Sequence, residues 1–508
     1  MKTHVQVLKF GGTSVGNGER IRRVAQIIAR TFHDPEEAFP VVVVSAMAKV
    51  TDQLLRIAAF VYTNELEAYQ QELKALKQKH FEAAEKAVHD SEGRGSLLKE
   101  LEKAFISLEY DIANLQQIVE ASSLQHVHPE TASIIPFATA AVAAWGERLS
   151  VLLVAASVSD VGLPAAPVRE EVIITNHPTL SGTQQALGVA VGADPLTEET
   201  RKNAQAIISP LIERQIVPVV AGFIGHSTSG YVTTLGRNGS DYSASVIGAA
   251  LDCIEISIYT DVDGVLTADP RLVMNTRLLS ALSYAEAARL SWFGAKVLHP
   301  RTLIPIAHRN IPVRVRNTFR PTLRGTVVGP EGRQKSGASA ITVHRHLSLI
   351  TVESTDLFGA PESAGQVFAL AARAGAAPVA ICSSSGQHLS FVVEEDAAAS
   401  VVALLQHDMG DMGAWYVRSR NGLAACACIG SGFTADPMSP ARAITALARE
   451  RIPIITQGAS ELGITLIVED ADSERALRSL HRDLIAPVIP LVRHDATVHE
   501  KKRGAIKL

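Results

Sequence analysis

Residues 5–44 constrain the fold more than any other stretch of this chain. They open with an alternating strand pattern (Val5, Val7) and turn on Gly11-Gly12. A helical pattern follows through Ile21, Val24 and Ile28, and the stretch ends in the uninterrupted apolar run Val41, Val42, Val43 and Val44. A run apolar at every position is buried on both faces, and a helix joining two such strands makes them parallel. This opening predicts a layered α/β domain. A chain of 508 residues exceeds one ordinary domain, so further units are expected.

The α/β texture is interrupted at about residues 62–122 by two charged amphipathic helices, NELEAYQQELKALKQKHFEAAEKAVHD and LLKELEKAFISLEYDIANLQQIVE, with a glycine-containing turn expected at residues 91–95. Their heptads are too few for a partner-binding coiled coil, and they read as an excursion packed on the core. The alternation then returns, with a helix from Glu147, strands near Pro218 and Glu255, and helices near Ser243 and Tyr284. The Gly/Ser-rich passage VGPEGRQKSGASA closes a first domain at residue 329 and gives a linker at 330–343. Beyond it two βαββαβ-like units of about 70 residues stand in tandem, at 344–420 and 421–488, before a short basic tail at 489–508. This is an internal repeat of the ferredoxin-like type.

Composition removes several function classes. The net charge of -4 offers no basic field for nucleic acid or an anionic membrane surface. No uninterrupted apolar stretch of bilayer length is evident, and the opening strand leaves no room for a signal peptide, so a soluble cytoplasmic protein is expected. Four cysteines, two of them in the apolar run GLAACACIG, suit a reducing compartment and not a disulfide framework.

Four segments before the linker carry chemistry. In Lys9-Phe10-Gly11-Gly12-Thr13-Ser14-Val15 a lysine at a strand end precedes paired glycines and a helix start, the makings of an anion site. It is not a P-loop, because the lysine comes before the glycines. In Gly236-Arg237-Asn238-Gly239-Ser240-Asp241 an arginine fork, a hydroxyl and a carboxylate converge at a helix start. Capping accounts for Ser240 or Asp241 but not for Arg237 between two glycines. Thr260-Asp261-Val262-Asp263-Gly264, with Asp269-Pro270-Arg271, forms a tight turn after a strand and is too short for a calcium loop. Phe293-Gly294-Ala295-Lys296-Val297-Leu298-His299-Pro300 adds a second lysine, with His299 read as structural.

Taken together and in this order, KFGGTSV, GRNGSDYSA, YTDVDGV with ADPR, and FGAKVLHP closely resemble the aspartokinases of the amino-acid-kinase superfamily. The tandem repeat resembles their C-terminal pair of ACT domains. The resemblance runs from Lys9 to about Asp483 and is nearest to the aspartokinase half of bifunctional aspartokinase–homoserine dehydrogenases; no GxGxxG fingerprint of the second activity occurs. It implies ATP-dependent phosphorylation of the side-chain carboxylate of L-aspartate, the first step of lysine, threonine and methionine biosynthesis. Lys9, Asp241 and Lys296 would be catalytic. Ser45, Thr51, Glu147, Arg237 and Ser240 would bind aspartate, Glu147 its ammonium and Arg237 its α-carboxylate. Lys9, Gly11, Gly12, Ser14, Thr260, Asp261, Leu266, Arg271, Lys296 and Val297 would meet ATP, with Leu266 where the family usually has tyrosine. Mg²⁺ is carried mainly by ATP and not by a protein site of its own. A homodimer or homotetramer through the ACT domains and an amino-acid effector are also implied.

The chemistry agrees with the resemblance. A carboxylate nucleophile is already ionised at neutral pH and needs no general base; its obstacle is repulsion from the triphosphate. Two alternatives remain: a kinase for glutamate or acetylglutamate, and a non-catalytic amino-acid sensor on a kinase shell. The effector turns depart from the family pattern. Glu362 stands where a second glycine is usual, Gly386 where glutamate is usual, and the turn from Thr434 to Met438 lacks its glycine, whereas QGASE is kept at residues 457–461. Either the effector pocket has changed or these turns hold it with another backbone shape.

Overall fold

The computed structural model describes residues 4–123, 129–169, 171–176, 193–236, 238–295, 298–332, 337–354, 361–385, 387–410, 415–433 and 435–485. The strands of the first unit are β1 (Val5–Phe10), β2 (Phe39–Val44), β3 (Ala165–Pro167), β4 (Ile174–Thr175), β5 (Val217–Ala221), β6 (Ile224–Ser227), β7 (Val232–Thr234), β8 (Glu255–Thr260), β9 (Ala281–Ser283), β10 (Val313–Asn317) and β11 (Thr326–Gly329). Eight of these make one sheet in the order β3-β5-β2-β1-β8-β10-β11-β9, and β4, β6 and β7 form a small second sheet. β1 lies near its centre, parallel to β2 on one side and β8 on the other. Alternate side chains feed two cores. Leu8, Phe10, Val42 and Val44 enter one, and Val7, Val41 and Val43 the other, which is what an all-apolar central strand requires.

Between β1 and β3 run the helices α1 (Gly18–His33), α2 (Val50–Tyr62), α3 (Leu66–Ala87), α4 (Ser91–Ser123) and α5 (Pro129–Asp160). Asn17 caps α1 by accepting from the Arg20 N–H at 2.9 Å, and Ile21, Val24, Ala25 and Ile28 form its buried stripe. The two inserted helices, α3 and α4, place Leu76, Ala83, Leu101, Phe105, Leu108 and Leu115 in the same core as β1 and β2, so the excursion is packed on the domain. The turn expected at residues 91–95 is instead the first turn of α4. Asp90 accepts from the Gly93 N–H at 2.6 Å, and capping outweighs the helix-weakening of the glycines. α5 starts well before the expected Glu147. Its run IIPFATAAVAAW is buried on most sides and lacks the polar face that marks a helix in sequence. Residues Ile134–Asp160 are also long and apolar enough to cross a membrane, contrary to expectation, but most of that length is buried inside the domain.

The second half is one antiparallel sheet of β12 (Ala340–Ser354), β13 (Ala380–Ser385), β14 (His388–Glu394), β15 (Trp415–Ile429), β16 (Thr456–Ser460) and β17 (Gly463–Glu469), in the order β13-β14-β12-β15-β17-β16. β12 begins inside the passage expected as linker. Its first residues, Ala340 to His344, pair with residues 425–429 of β15, and Ile341 packs with Cys426, Cys428, Leu447, Leu466 and Leu477. Its later residues, Ile350 and Val352, pack with Val367, Phe391 and Val401. The first repeat unit is therefore nested within the second: the second draws strand residues from both sides of it. Residues 355–360, Gly386, Thr434 and the tail from 486 onward lie outside the described residues.

His80 shows what the insertion tolerates. Its ring is fully buried between α3 and α4, with Nδ1 bonded to the Leu76 carbonyl at 2.8 Å and Nε2 without a partner. Burial pushes its pKa down from 6.5 to about 4, so the folded state holds the neutral form. The unfolded chain then binds a proton that the fold refuses as pH falls from 6.5 toward 4. Stability should drop across that window by up to roughly 3 kcal/mol. His80→Leu should flatten that part of a plot of unfolding free energy against pH; an unchanged slope in the variant would remove His80 as its source.

Candidate active site

Parallel strands bring the site together at their carboxyl ends, where open α/β sheets bind ligands. In β1, Lys9 lies opposite Val43 of β2 and Ile258 of β8, and Phe10 opposite Val44 and Tyr259. Strand alternation puts Lys9 on the face of Val7, toward the helix Gly239–Ala250. Its Nζ lies 2.5 Å from Oδ1 of Asp241 in the first turn of that helix. Lys9 is only 7% exposed, and an ammonium so buried needs a partner of this kind.

The glycine turn runs directly past this pair. The Gly11 N–H donates to the Tyr259 carbonyl at 3.3 Å, the Ser45 N–H to the Phe10 carbonyl at 3.1 Å, and the Ala48 N–H to the Gly12 carbonyl at 3.1 Å. A Cβ on Gly12 would stand 2.9 Å from the Ala46 carbonyl oxygen, and one on Gly11 3.4 Å from Lys9 Nζ. The turn is thus packed too closely against Ala46 and beside Lys9 for a side chain at Gly12, and glycine there lets the backbone pass near the lysine.

Glu147 of α5 is the most unusual group here. It is 3% exposed; Oε1 accepts from the Ala46 N–H at 3.0 Å, while Oε2 is buried and has no partner. Burial raises its pKa to about 8, against the lowering pull of the Ala46 N–H and of the Lys9 charge. A buried carboxyl oxygen without a donor is costly, and among the described residues no group answers it, which leaves room for a ligand's cation.

The other expected residues fall into groups. Ser45 follows β2 directly, Thr51 sits half-buried in the first turn of α2, and Ser240 packs against Gly222, where a Cβ would come within 3.0 Å of its Oγ. Thr260 ends β8 and its Oγ1 donates to Oδ1 of the following Asp261 at 3.2 Å, and Leu266 is half-buried and bridged to Leu278. Arg271 is exposed and holds Asp269 through its Nε and Nη2, at 3.0 and 2.6 Å. Ser14 is fully buried, with its Oγ 3.2 Å from the Tyr259 carbonyl and 2.6 Å from Thr318 Oγ1, so its side chain ties β8 to the end of β10. Arg237, Lys296 and Val297 lie outside the described residues. His299 is structural, as read: its Nδ1 caps the helix Pro300–Ala307 through the Arg301 N–H.

Sequence reading missed the residues that hold the Asp261–Gly264 turn. Asn317 Nδ2 donates to Asp263 Oδ1 at 2.7 Å, and Arg320 pairs with the same carboxylate at 2.6 Å. The signal was the alternation VRVRN, which ends polar at the same sheet edge as Lys9.

The sequence matches the amino acid kinase family over residues 4–317 and an ACT domain over 427–484. It is 32% identical over 497 residues to a bifunctional aspartokinase/homoserine dehydrogenase 1, chloroplastic, of Zea mays, covering 94% of this chain and 50% of the relative. It is 30% identical over 509 residues to aspartokinase 1, chloroplastic, of Arabidopsis thaliana, covering 94% and 79%. The chain thus spans about half the length of the bifunctional relatives. A solved structure of E. coli aspartokinase III in complex with aspartate and ADP superposes with a TM-score of 0.73 at 26% identity, covering 94% of this chain and 99% of that one. By the extent of these matches, the chain belongs to the amino acid kinase family and, within it, to the aspartokinases.

Proposed function

We propose that the protein transfers the γ-phosphoryl group of ATP to the side-chain carboxylate of L-aspartate, giving 4-phospho-L-aspartate and ADP, at the head of aspartate-family amino-acid biosynthesis. The observation that carries this reading is the unpartnered Oε2 of Glu147, buried beside a lysine–aspartate pair. An amino acid's ammonium group answers that oxygen, and Lys9 answers the transferred phosphoryl group. The likeness to an aspartokinase seen with aspartate and ADP supports the same substrates.

Catalysis here is placement and charge. The nucleophile carries its own negative charge, so the protein must bring two anions together and stabilise the extra charge on the phosphoryl oxygens. Lys9 contributes a cation with little water around it, where each charge acts more strongly than in solution. Asp241 orients that lysine. Glu147 fixes the ammonium end of the amino acid, and Arg237 its α-carboxylate. Mg²⁺ enters as part of the nucleotide substrate and neutralises triphosphate charge. The expected location is the cytoplasm, supported by four unbridged thiols, although several relatives are chloroplastic.

The regulatory sheet is expected to join copies of the chain into a dimer or tetramer and to receive an amino-acid effector. By sequence, Glu362 stands where the family's effector turn has a second glycine, and its charge has the same sign as an effector's carboxylate. Lysine and threonine should therefore inhibit weakly, or a different effector has replaced them.

Four measurements follow from this reading. Lys9→Ala should lower kcat by roughly 10²–10³-fold with a smaller change in aspartate KM; a variant with half the wild-type kcat would remove Lys9 from the chemistry. Free Glu147 ionises near pH 8 and must be ionised to take the ammonium, so kcat/KM for aspartate should rise with pH up to about 8 and then level off. Glu147→Gln should abolish that rise and increase aspartate KM more than ATP KM. In a coupled ADP-release assay with aspartate, glutamate and acetylglutamate, only aspartate should turn over. Inhibition by lysine or threonine on the order of tens of micromolar would overturn the effector reading.

A further inference from the structure

Glu286 is a fully buried carboxylate outside the strand-end site. It lies in the helix Tyr284–Trp292, in a capping box with Ser283: Oε2 accepts from the Ser283 N–H at 2.8 Å, and Ser283 Oγ accepts from the Glu286 N–H at 3.1 Å. A capping glutamate at a helix start is ordinarily solvated and needs only that reciprocal bond. Here the other oxygen leaves the catalytic unit. Oε1 accepts from Ser339 Oγ at 2.7 Å and from the Ser431 N–H at 2.8 Å. Ser339 precedes the first residue of β12 and Ser431 follows the last residues of β15, and the Ser339 N–H donates to the Ile429 carbonyl at 2.7 Å between them. Gly332, in the connection between the units, passes so near that a Cβ there would stand 2.3 Å from Oε2.

Burial would raise the pKa of this carboxyl, but the donors from Ser283, Ser339 and Ser431 outweigh it and hold the group below its ordinary value, hence ionised. The same short segment meets the regulatory sheet at other points. Arg289 Nη1 donates to Ser460 Oγ at 2.6 Å, Trp292 Nε1 to the Val379 carbonyl at 2.9 Å, and Thr342 Oγ1 to the Phe293 carbonyl at 3.0 Å. Those bonds are to half-exposed groups or single carbonyls. Other bonds also cross between the units, among them the Ile341 N–H to the Thr267 carbonyl at 2.9 Å and Thr267 Oγ1 with His481 Nε2 at 2.9 Å. Among the described residues, Glu286 is the side chain of the catalytic unit whose one oxygen bonds both the β12 end and the β15 end, the two 15-residue strands that run through both regulatory units.

We infer that Glu286 is a positioning residue whose carboxylate locks the catalytic unit to the paired ends of β12 and β15, so that a change in the regulatory sheet reaches the catalytic unit through this contact. The inference rests on the kinase reading only for the direction of the signal. A slide of β12 against β15 at their far ends moves Ser339 and Ser431 relative to each other. One carboxylate oxygen cannot follow both, so the helix carrying Glu286 must shift or let go.

The test uses the full chain, with ADP as the ligand. Wild type should unfold in one calorimetric transition that ADP raises as a whole, because binding to one unit stabilises whatever is coupled to it. Hydrogen exchange at residues 340–343 and 425–431 should also slow when ADP binds. Glu286→Gln should split the melt in two, with ADP raising only one part and leaving exchange at those strands unchanged. Ser339→Ala leaves the capping box bonded and should show the same loss of coupling in weaker form; it carries the test if Glu286→Gln does not fold. Two independent transitions in wild type would overturn the inference, and so would a single transition in both variants that still moves as one with ADP. No response of wild type to ADP would count against the kinase reading instead, and the number of transitions would still decide the role of Glu286.

Discussion

A lysine at the end of a strand buried on both faces must find a negative partner, and the layout of the first unit follows from that need. β1 cannot carry Lys9 into the sheet's centre unless an acid comes to it. The helix Gly239–Ala250 brings Asp241 there, and its small residues let it lie close against the strands. Everything that handles charge then collects at the same edge: the glycine turn, the end of β8 with its Asp261–Gly264 turn, and the Asn317 and Arg320 brace. The pairing also fixes the direction of the lysine's Nζ at the strand end.

Glu147 obeys the opposite logic. Its second oxygen is left without a donor, which a stable core avoids, and it is held there by α5, a helix too apolar to be read as amphipathic. The inserted helices α3 and α4 pack on the same core as α5, so the excursion gives mass behind the helix that must hold a carboxylate in place against its own desolvation. An unpaired acid beside a paired lysine gives one site two distinct demands for a ligand: a cation at one end and an anion at the other.

Much of this was legible in sequence because local pattern and tertiary role agreed. The apolar run of β2, the Lys9-Gly11-Gly12 turn and the helix starting at Gly239 each announce themselves within ten residues. Where the reading failed, the deciding contact was distant. The glycines at 93 and 95 look like a turn until Asp90 is seen capping them. α5 hides its start because burial on most sides erases periodicity. Ser14 is among the nucleotide contacts that the resemblance implies, and nothing near it in sequence shows that its Oγ also lies 2.6 Å from Thr318 Oγ1, more than 300 residues away. Glu286 is not singled out in the sequence, and nothing near it in the chain shows that Ser339 and Ser431 share its carboxylate.

The nesting of the two regulatory units has a consequence for how the chain is made. As synthesis proceeds, residues 340–344 emerge first but have no neighbour until residues 425–429 arrive. The intervening unit, with its strands at 347–353 and 388–394, can pair in the meantime. The inner unit is therefore positioned to fold while the outer one waits, holding one strand in reserve. A cut at the apparent boundary near residue 420 would not yield two whole units: residues 340–344 would stay on the first piece, and the second unit would lose the strand that pairs with residues 425–429. What looks in sequence like a duplication laid end to end is, in three dimensions, one unit enclosed within another.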